Sequence, residues 1–259
     1  MPIHPTALVD AAADIHPDAD IGPFVVIDGP VVVGARTRVL AHATLLGNTR
    51  IGADNEIHMG VALGDTPQDR SYDRAPSQVR IGDRNVFREH VQVHRGSGAG
   101  TVTVIGDDNY FMATAHVAHN CIIGNHVTLA NGAVVGGHAH IEDRVFLSGN
   151  TAVHQHVRVG TLAFLRGVSA ADRDVPPFCI VDDINVIRAL NRIGLRRAGF
   201  EPARIDALRR AFRILFAHRR NLNQAMAEVE SESITADVRQ LLGFIRASER
   251  GVCAGPRQG

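Results

Sequence analysis

Large apolar residues recur at every sixth position through the first two thirds of the chain. Stepping from Ile3 meets Val9, Ile15, Ile21, Ile27, Val33, Val39, Leu45, Ile51, Ile57 and Leu63. The frame breaks at Asp69 and Ala75, returns at Ile81, Phe87 and Val93, and breaks again at Ala99. It then runs unbroken as Ile105, Phe111, Val117, Ile123, Leu129, Val135, Ile141, Leu147, Val153, Val159 and Leu165. Two places before the large residue stands a small residue or Asn, as at Ala19, Thr37, Asn55, Asn85, Asn109, Ala115 and Ala133; glycine often follows it, as at Gly22, Gly34, Gly52, Gly82, Gly106, Gly124 and Gly160. A period of six fits neither the 3.6 of a helix nor the unbroken alternation of a strand. It predicts short strands separated by regular corners, with the large residue inward, the small one in the bend, and Gly or Asn supplying positive φ. Three such faces per turn make a triangular parallel β-helix, in which residues 18 apart stack at the ~4.8 Å strand spacing.

The two breaks in the frame predict loops thrown out from this prism. The first, about 64–80, is polar with two prolines; the second, about 95–103, is rich in glycine. Loops on a rigid solenoid are where binding groups concentrate. The frame ends after Leu165, and the prolines of DVPPF at 174–178 mark the expected boundary between a β-helix over 1–175 and a helical domain over 176–259. In that second part the apolar spacing turns helical, through Ile187, Leu190 and Ile193; Ile205, Leu208, Phe212 and Leu215; Leu222, Met226 and Val229; and Val238, Leu241, Leu242 and Ile245. About four helices are expected, with Pro202 in the first turn of one of them.

Composition narrows the chemistry. The 259 residues are 45% apolar and 21% charged, a globular balance, and no apolar run reaches the roughly 18 residues that span a bilayer. With no secretory signal at the N-terminus, a cytoplasmic protein without membrane insertion is expected. All 27 basic residues are Arg, so chemistry that rests on a lysine Schiff base or a Walker-type lysine is excluded. The Arg surplus lies in the helical part and favours an anionic partner. There is no Trp and no nucleic-acid reader motif, so nucleic acid is not the expected partner. Cys121, Cys179 and Cys253 share no metal-ligand or redox spacing and read as buried or idle thiols.

Nine of the 14 histidines fall between residues 90 and 156, and none is in the inward column. They therefore lie at corners or on outer faces, where a site needs a second copy of the chain or the inserted loops to enclose it. The stacking rule sets His119 over Gly137 and then Gln155, and Asn120 over His138 and then His156. An imidazole beside a residue without a side chain pairs a general base with an exposed peptide N–H, the combination that acyl transfer requires. The same histidines leave a second reading open, a zinc hydratase on a β-helix, with His138, His156, His116 and His119 as nitrogen donors.

The segments GDTPQD at 64–69, IGDRNVFREHVQVHRG at 81–96, AHVAHNCIIGN at 115–125, VGGH at 135–138, TAVHQ at 151–155, DVPPF and GLRRAGF at 194–200 resemble the UDP-N-acetylglucosamine acyltransferase family over nearly the whole chain. The resemblance implies a left-handed parallel β-helix with a small C-terminal helical domain, and transfer of a 3-hydroxyacyl chain from acyl carrier protein to the 3-position of UDP-N-acetylglucosamine, the first step of lipid A synthesis. It implies His119 as general base and Gly137 as oxyanion donor. Asp69, His116, His138, His154 and Gln155 match positions around the sugar and pyrophosphate, Asn191 and Arg197 contacts to the nucleotide, and Gly167 the floor of the acyl-chain groove. It further implies a homotrimer with sites between subunits, an acidic carrier protein for the Arg-rich helices, and neither metal nor cofactor. Three positions depart from the family pattern: Asn120 where Asp commonly follows the base, Ser71 where a Lys commonly follows the loop Asp, and Ala198 in place of a second Arg. The stretch Asp182, Asp183, Ile184 also differs. N-acylation of a 3-amino sugar nucleotide and a sugar-nucleotide-binding paralogue without turnover are the nearest alternatives.

Overall fold

A computed structural model of the chain describes residues 3–216, 221–232 and 234–256. Three parallel sheets wrap one core as a left-handed β-helix. The first runs from Leu8–Val9 to Ala170–Ala171, the second from Asp14–Ile15 to Arg158–Val159, and the third from Asp20–Ile21 to Cys179–Val181. Strands pair at the expected interval of 18, for example His116 with Val134 and Val134 with Ala152. At the two loops the interval widens, pairing Leu63 with Val93 and Val93 with Val117; the inward column stays aligned, and the register shifts only past Leu63, where Asp65 pairs with His94.

The inward column is buried at every frame position from Ile21 to Leu165. Ile3, Val9 and Ile15 are less covered because they form the open first coil, which has no coil beneath it. Removing roughly 2 kcal/mol of aliphatic surface from water at each covered position is what drives the chain to coil. Beside this column runs a ladder of buried amides: Asn55 Oδ1 accepts from Asn85 N–H at 2.9 Å, Asn85 Oδ1 from Asn109 N–H at 2.9 Å, and Asn109 Oδ1 from Val127 N–H at 2.7 Å. Each Asn satisfies a corner N–H that the sheets leave unpaired.

The corners correct one expectation. Positive φ occurs three residues after the inward residue, at Gly60, Gly132, Asn120 and Asn150 but equally at Arg36, His42, Asp54, His138 and His156, and, Gly64 apart, not at the glycines that directly follow it. Those glycines answer to space: a Cβ on Gly34 would lie 2.5 Å from the backbone of Gly52, and one on Gly106 would lie 2.6 Å from Gly124 O. Close stacking of successive coils, not left-handed backbone, demands glycine there.

The six-residue frame stops after Leu165, but the β-helix continues past that point and past the expected boundary at 175. Cys179–Val181 adds in parallel to Phe164–Leu165, and Ile187–Leu190 turns back antiparallel on it. Ile187 and Leu190, expected in a helix, are therefore strand residues; both are buried against the last coil, which overrides their local spacing. Four helices follow: α1 (Arg192–Arg197), α2 (Pro202–Phe216), α3 (Leu222–Glu230) and α4 (Ala236–Arg246). Pro202 opens α2, and Ile205, Leu208, Leu215, Met226, Val229, Leu241, Leu242 and Ile245 pack between the helices. The tail then returns to the prism through bridges Asp174–Val252 and Val186–Ala254. All three cysteines are free and buried, and burial pushes the Cys121 thiol up to about 12. Among the described residues no helix is long and apolar enough to cross a membrane.

Candidate active site

His119 follows the inward Val117 by two residues, at the corner between the first and second sheets. Its ring lies directly over Gly137: a Cβ added there would meet His119 Cε1 and Nε2 at 2.7 Å. The next residues stack as expected, with His138 N–H donating to His119 O and His156 N–H to Gly137 O, both at 2.9 Å. No described acceptor takes the N–H of Gly137. An imidazole and a peptide N–H without a described acceptor thus share one corner.

Both nitrogens of the His119 ring are addressed. Nδ1 lies 2.8 Å from Asn120 Oδ1, and Nε2 lies 3.9 Å from Asp69 Oδ2. With Nδ1–H donating to the amide oxygen, Nε2 keeps its lone pair. Asp69 arrives on the first loop, where the N–H and hydroxyl of Ser71 both donate to its Oδ1, at 2.9 and 2.7 Å. Those bonds, with His119 and His138 nearby, hold the Asp69 carboxyl below its usual range. Ser71 thus partners this carboxylate through both its N–H and its hydroxyl.

The groove of about 510 Å³ beside His119 is lined by Gln68, His116, Gly137, His154 and Gln155 and extends along the first sheet to Ala170 and Ile184. His116 Nδ1 contacts Gln92 Oε1 at 3.2 Å; burial, then the neighbouring His94, pushes its pKa down to about 4, so the ring is neutral at physiological pH. His138 is edge-on to His119 and stacked on His156 at 4.6 Å, and its pKa is also lowered, first by burial and then by those two rings. These histidines meet ring to ring, and among the described residues no three His, Cys, Asp or Glu converge as metal ligands.

Three expected site residues lie elsewhere on the chain. Asn191 and Arg197 line a separate groove of about 490 Å³ on the third sheet, with His126, Arg144, Phe146 and Phe164. Asn191 is also a structural residue: its Oδ1 accepts from Gly194 N–H at the start of α1, and its Nδ2 donates to Leu162 O. Gly167 is exposed at the corner between the third and first sheets, away from His119. The chain therefore carries two separate grooves.

The residues that fasten the loops escaped the sequence reading. His94 Nδ1–H donates to Thr66 O at 2.6 Å, Arg95 donates to Gly64 O at 3.0 Å and to the Tyr72 hydroxyl, and Ser97 reaches Asn120. The signal was present: because the second loop adds six residues, the stacking interval there is 24, which sets Arg95 under His119.

Family models match twice: one described as UDP-N-acetylglucosamine O-acyltransferase, domain 2, over residues 174–253, and one described as bacterial transferase hexapeptide (six repeats) over 103–137. A relative from Syntrophobacter fumaroxidans is 44% identical over 257 residues, covering 97% of this chain and 99% of its own, and one from Gloeothece citriformis is 42% identical over 248 residues, covering 95% and 90%. Both are named acyl-(acyl carrier protein)–UDP-N-acetylglucosamine O-acyltransferase. Among solved structures, the Bacteroides fragilis UDP-N-acetylglucosamine acyltransferase superposes with a TM-score of 0.94 at 35% identity, covering 96% of this chain and 99% of that one. The Francisella novicida enzyme gives 0.92 at 34%, covering 98% and 95%. Nearly full-length identity at this level, over a shared fold, makes this chain a member of the acyl carrier protein-dependent UDP-N-acetylglucosamine O-acyltransferase family.

Proposed function

We propose that the protein transfers a 3-hydroxyacyl chain from acyl carrier protein to the 3-hydroxyl of UDP-N-acetylglucosamine. The observation that carries this reading is the seat of His119 over Gly137, with Nδ1–H committed to Asn120. His119 Nε2 takes the proton of the sugar hydroxyl as its oxygen attacks the thioester carbonyl. The N–H of Gly137 receives the oxygen of the tetrahedral intermediate as charge builds on it. When that intermediate collapses, the C–S bond breaks, and the imidazolium returns its proton to the departing carrier thiolate. The ester and the free carrier thiol leave, and His119 is neutral again. Asp69, ionised at neutral pH, faces Nε2 and favours the imidazolium while it lasts. His116, His138, His154 and Gln155 line the way in for the sugar and its pyrophosphate.

The working form is a homotrimer in the cytoplasm. Asn191, Arg197 and Gly167 belong to faces that cannot meet His119 within one subunit, and a neighbouring copy would bring the nucleotide groove and the acyl-chain floor to the base. The test is an assay of the purified protein with a panel of acyl carrier thioesters and UDP-sugars, the 3-amino sugar included. Turnover with UDP-N-acetylglucosamine is expected, and His119→Ala is expected to abolish it with assembly unchanged. Substantial turnover by that variant removes His119 as the base. Mixed trimers of His119→Ala and Arg197→Ala subunits are expected to recover part of the activity lost in each; no recovery counts against sites built between subunits.

A further inference from the structure

Asn120 poses a chemical problem that the second loop solves. An Asp at this corner would offer His119 an oxygen whichever way it turned; an amide has one correct orientation and one wrong one. Turned the wrong way, Asn120 would present its NH₂ to Nδ1. The ring would then carry its proton on Nε2 and could not act as a base.

Two donors from one residue decide the orientation. Ser97 N–H reaches Asn120 Oδ1 at 3.0 Å and the Ser97 hydroxyl reaches the same oxygen at 2.9 Å, while His119 Nδ1 lies 2.8 Å from it. A backbone N–H can only donate, so the atom it meets is the oxygen. Asn120 itself is anchored by its N–H to Thr103 Oγ1 at 2.8 Å. The loop that delivers Ser97 is stiffened by its own bonds: Gly98 N–H to Thr101 Oγ1, the Thr101 hydroxyl to Gly98 O, and Gly100 N–H to Pro76 O on the first loop.

From this geometry we infer that Ser97 is a positioning residue for the acyl-transfer reaction: it locks the Asn120 amide and so holds His119 in the tautomer with a bare Nε2. The inference rests on His119 being the base proposed above. Ser97 touches neither substrate nor reacting atoms, so its effect falls on kcat and not on KM.

Two measurements test it. The first is a double-mutant cycle. Ser97→Ala removes one of the two donors and is expected to lower kcat about five- to tenfold at unchanged KM. In an Asn120→Asp background the same change is expected to cost less than twofold, because a carboxylate needs no orienting, and Ser97→Thr should restore the loss. Equal losses in both backgrounds, or no loss in either, overturn the inference. The second reads the ring without turnover: ¹⁵N shifts of His119 at neutral pH should report protonated Nδ1 and bare Nε2 in the parent, and a mixture of tautomers in Ser97→Ala. An unchanged tautomer in Ser97→Ala, which keeps the backbone N–H, overturns the orienting role of the Ser97 hydroxyl even if every variant is inactive. Full activity of His119→Ala would instead overturn the base assignment, so the two failures are told apart.

Discussion

Gly137→Ala isolates the feature on which the chemistry depends. The new methyl would lie 2.7 Å from Cε1 and Nε2 of His119 and 3.2 Å from Nδ1, where ordinary contact begins at 3.4 Å. The ring must therefore retreat by about 0.7 Å, which stretches its 2.8 Å bond to Asn120 to the edge of hydrogen bonding. Displacing a catalytic group by close to 1 Å costs on the order of 10²-fold in rate, so kcat should fall about a hundredfold. The fold should not suffer. Gly137 has no positive φ, and Gly→Ala at such a position removes about 0.4–1 kcal/mol of unfolded-state freedom. Steady-state kinetics with acyl carrier thioester and UDP-N-acetylglucosamine, beside a thermal melt, separate the two effects. A Tm near that of the parent with kcat within about threefold of it would refute the reasoning, since the imidazole would then be dispensable where it sits.

Val168 is exposed yet held at φ 65, the left-handed region that a β-branched side chain resists; Val168→Asn should stabilise the protein by about 1 kcal/mol in urea unfolding. Asp237, largely buried at the start of α4, forms a two-bond fork with Arg204 of α2 at 2.7 and 2.8 Å. Asp237→Ala should cost about 2 kcal/mol, less than a fully buried pair because Arg204 is half exposed, and a rise in stability would contradict the pairing. For His116, the folded pKa lies below the unfolded value, so the unfolded chain binds more protons between pH 6.5 and about 4. Its contribution is complete above pH 6.5 and is lost as pH falls toward 4; His116→Gln should flatten the fall of Tm with acidification over that window, and an identical slope in the variant would count against it.

The β-helix was legible because its period is written directly in the inward residues from Ile21 to Leu165, and each coil rests only on the next. The same regularity made His119 and Gly137 neighbours by counting alone. Counting failed where the interval changed. His94 and Arg95 sit 24 residues before Ala118 and His119, and Ser97 sits 23 before Asn120, so an 18-residue rule passes them by. Ile187 and Leu190 misled for the opposite reason: their helical spacing is real, but the open end of the prism offered a strand edge and an apolar surface that outweighed it.

What the linear chain determined, then, was everything carried by a repeating local rule: the coil, its register, the two loops, the helical tail and the stack that sets an imidazole over a glycine. Tertiary structure alone decided the rest. Folding the loops against each other turned Ser97 toward Asn120 and Asp69 toward the free nitrogen of His119, and closing the third face placed Asn191 and Arg197 on a separate groove. Hydrogen bonds between segments inserted into a repeat obey no period, so their partners are chosen only when the coils have stacked and the loops have met.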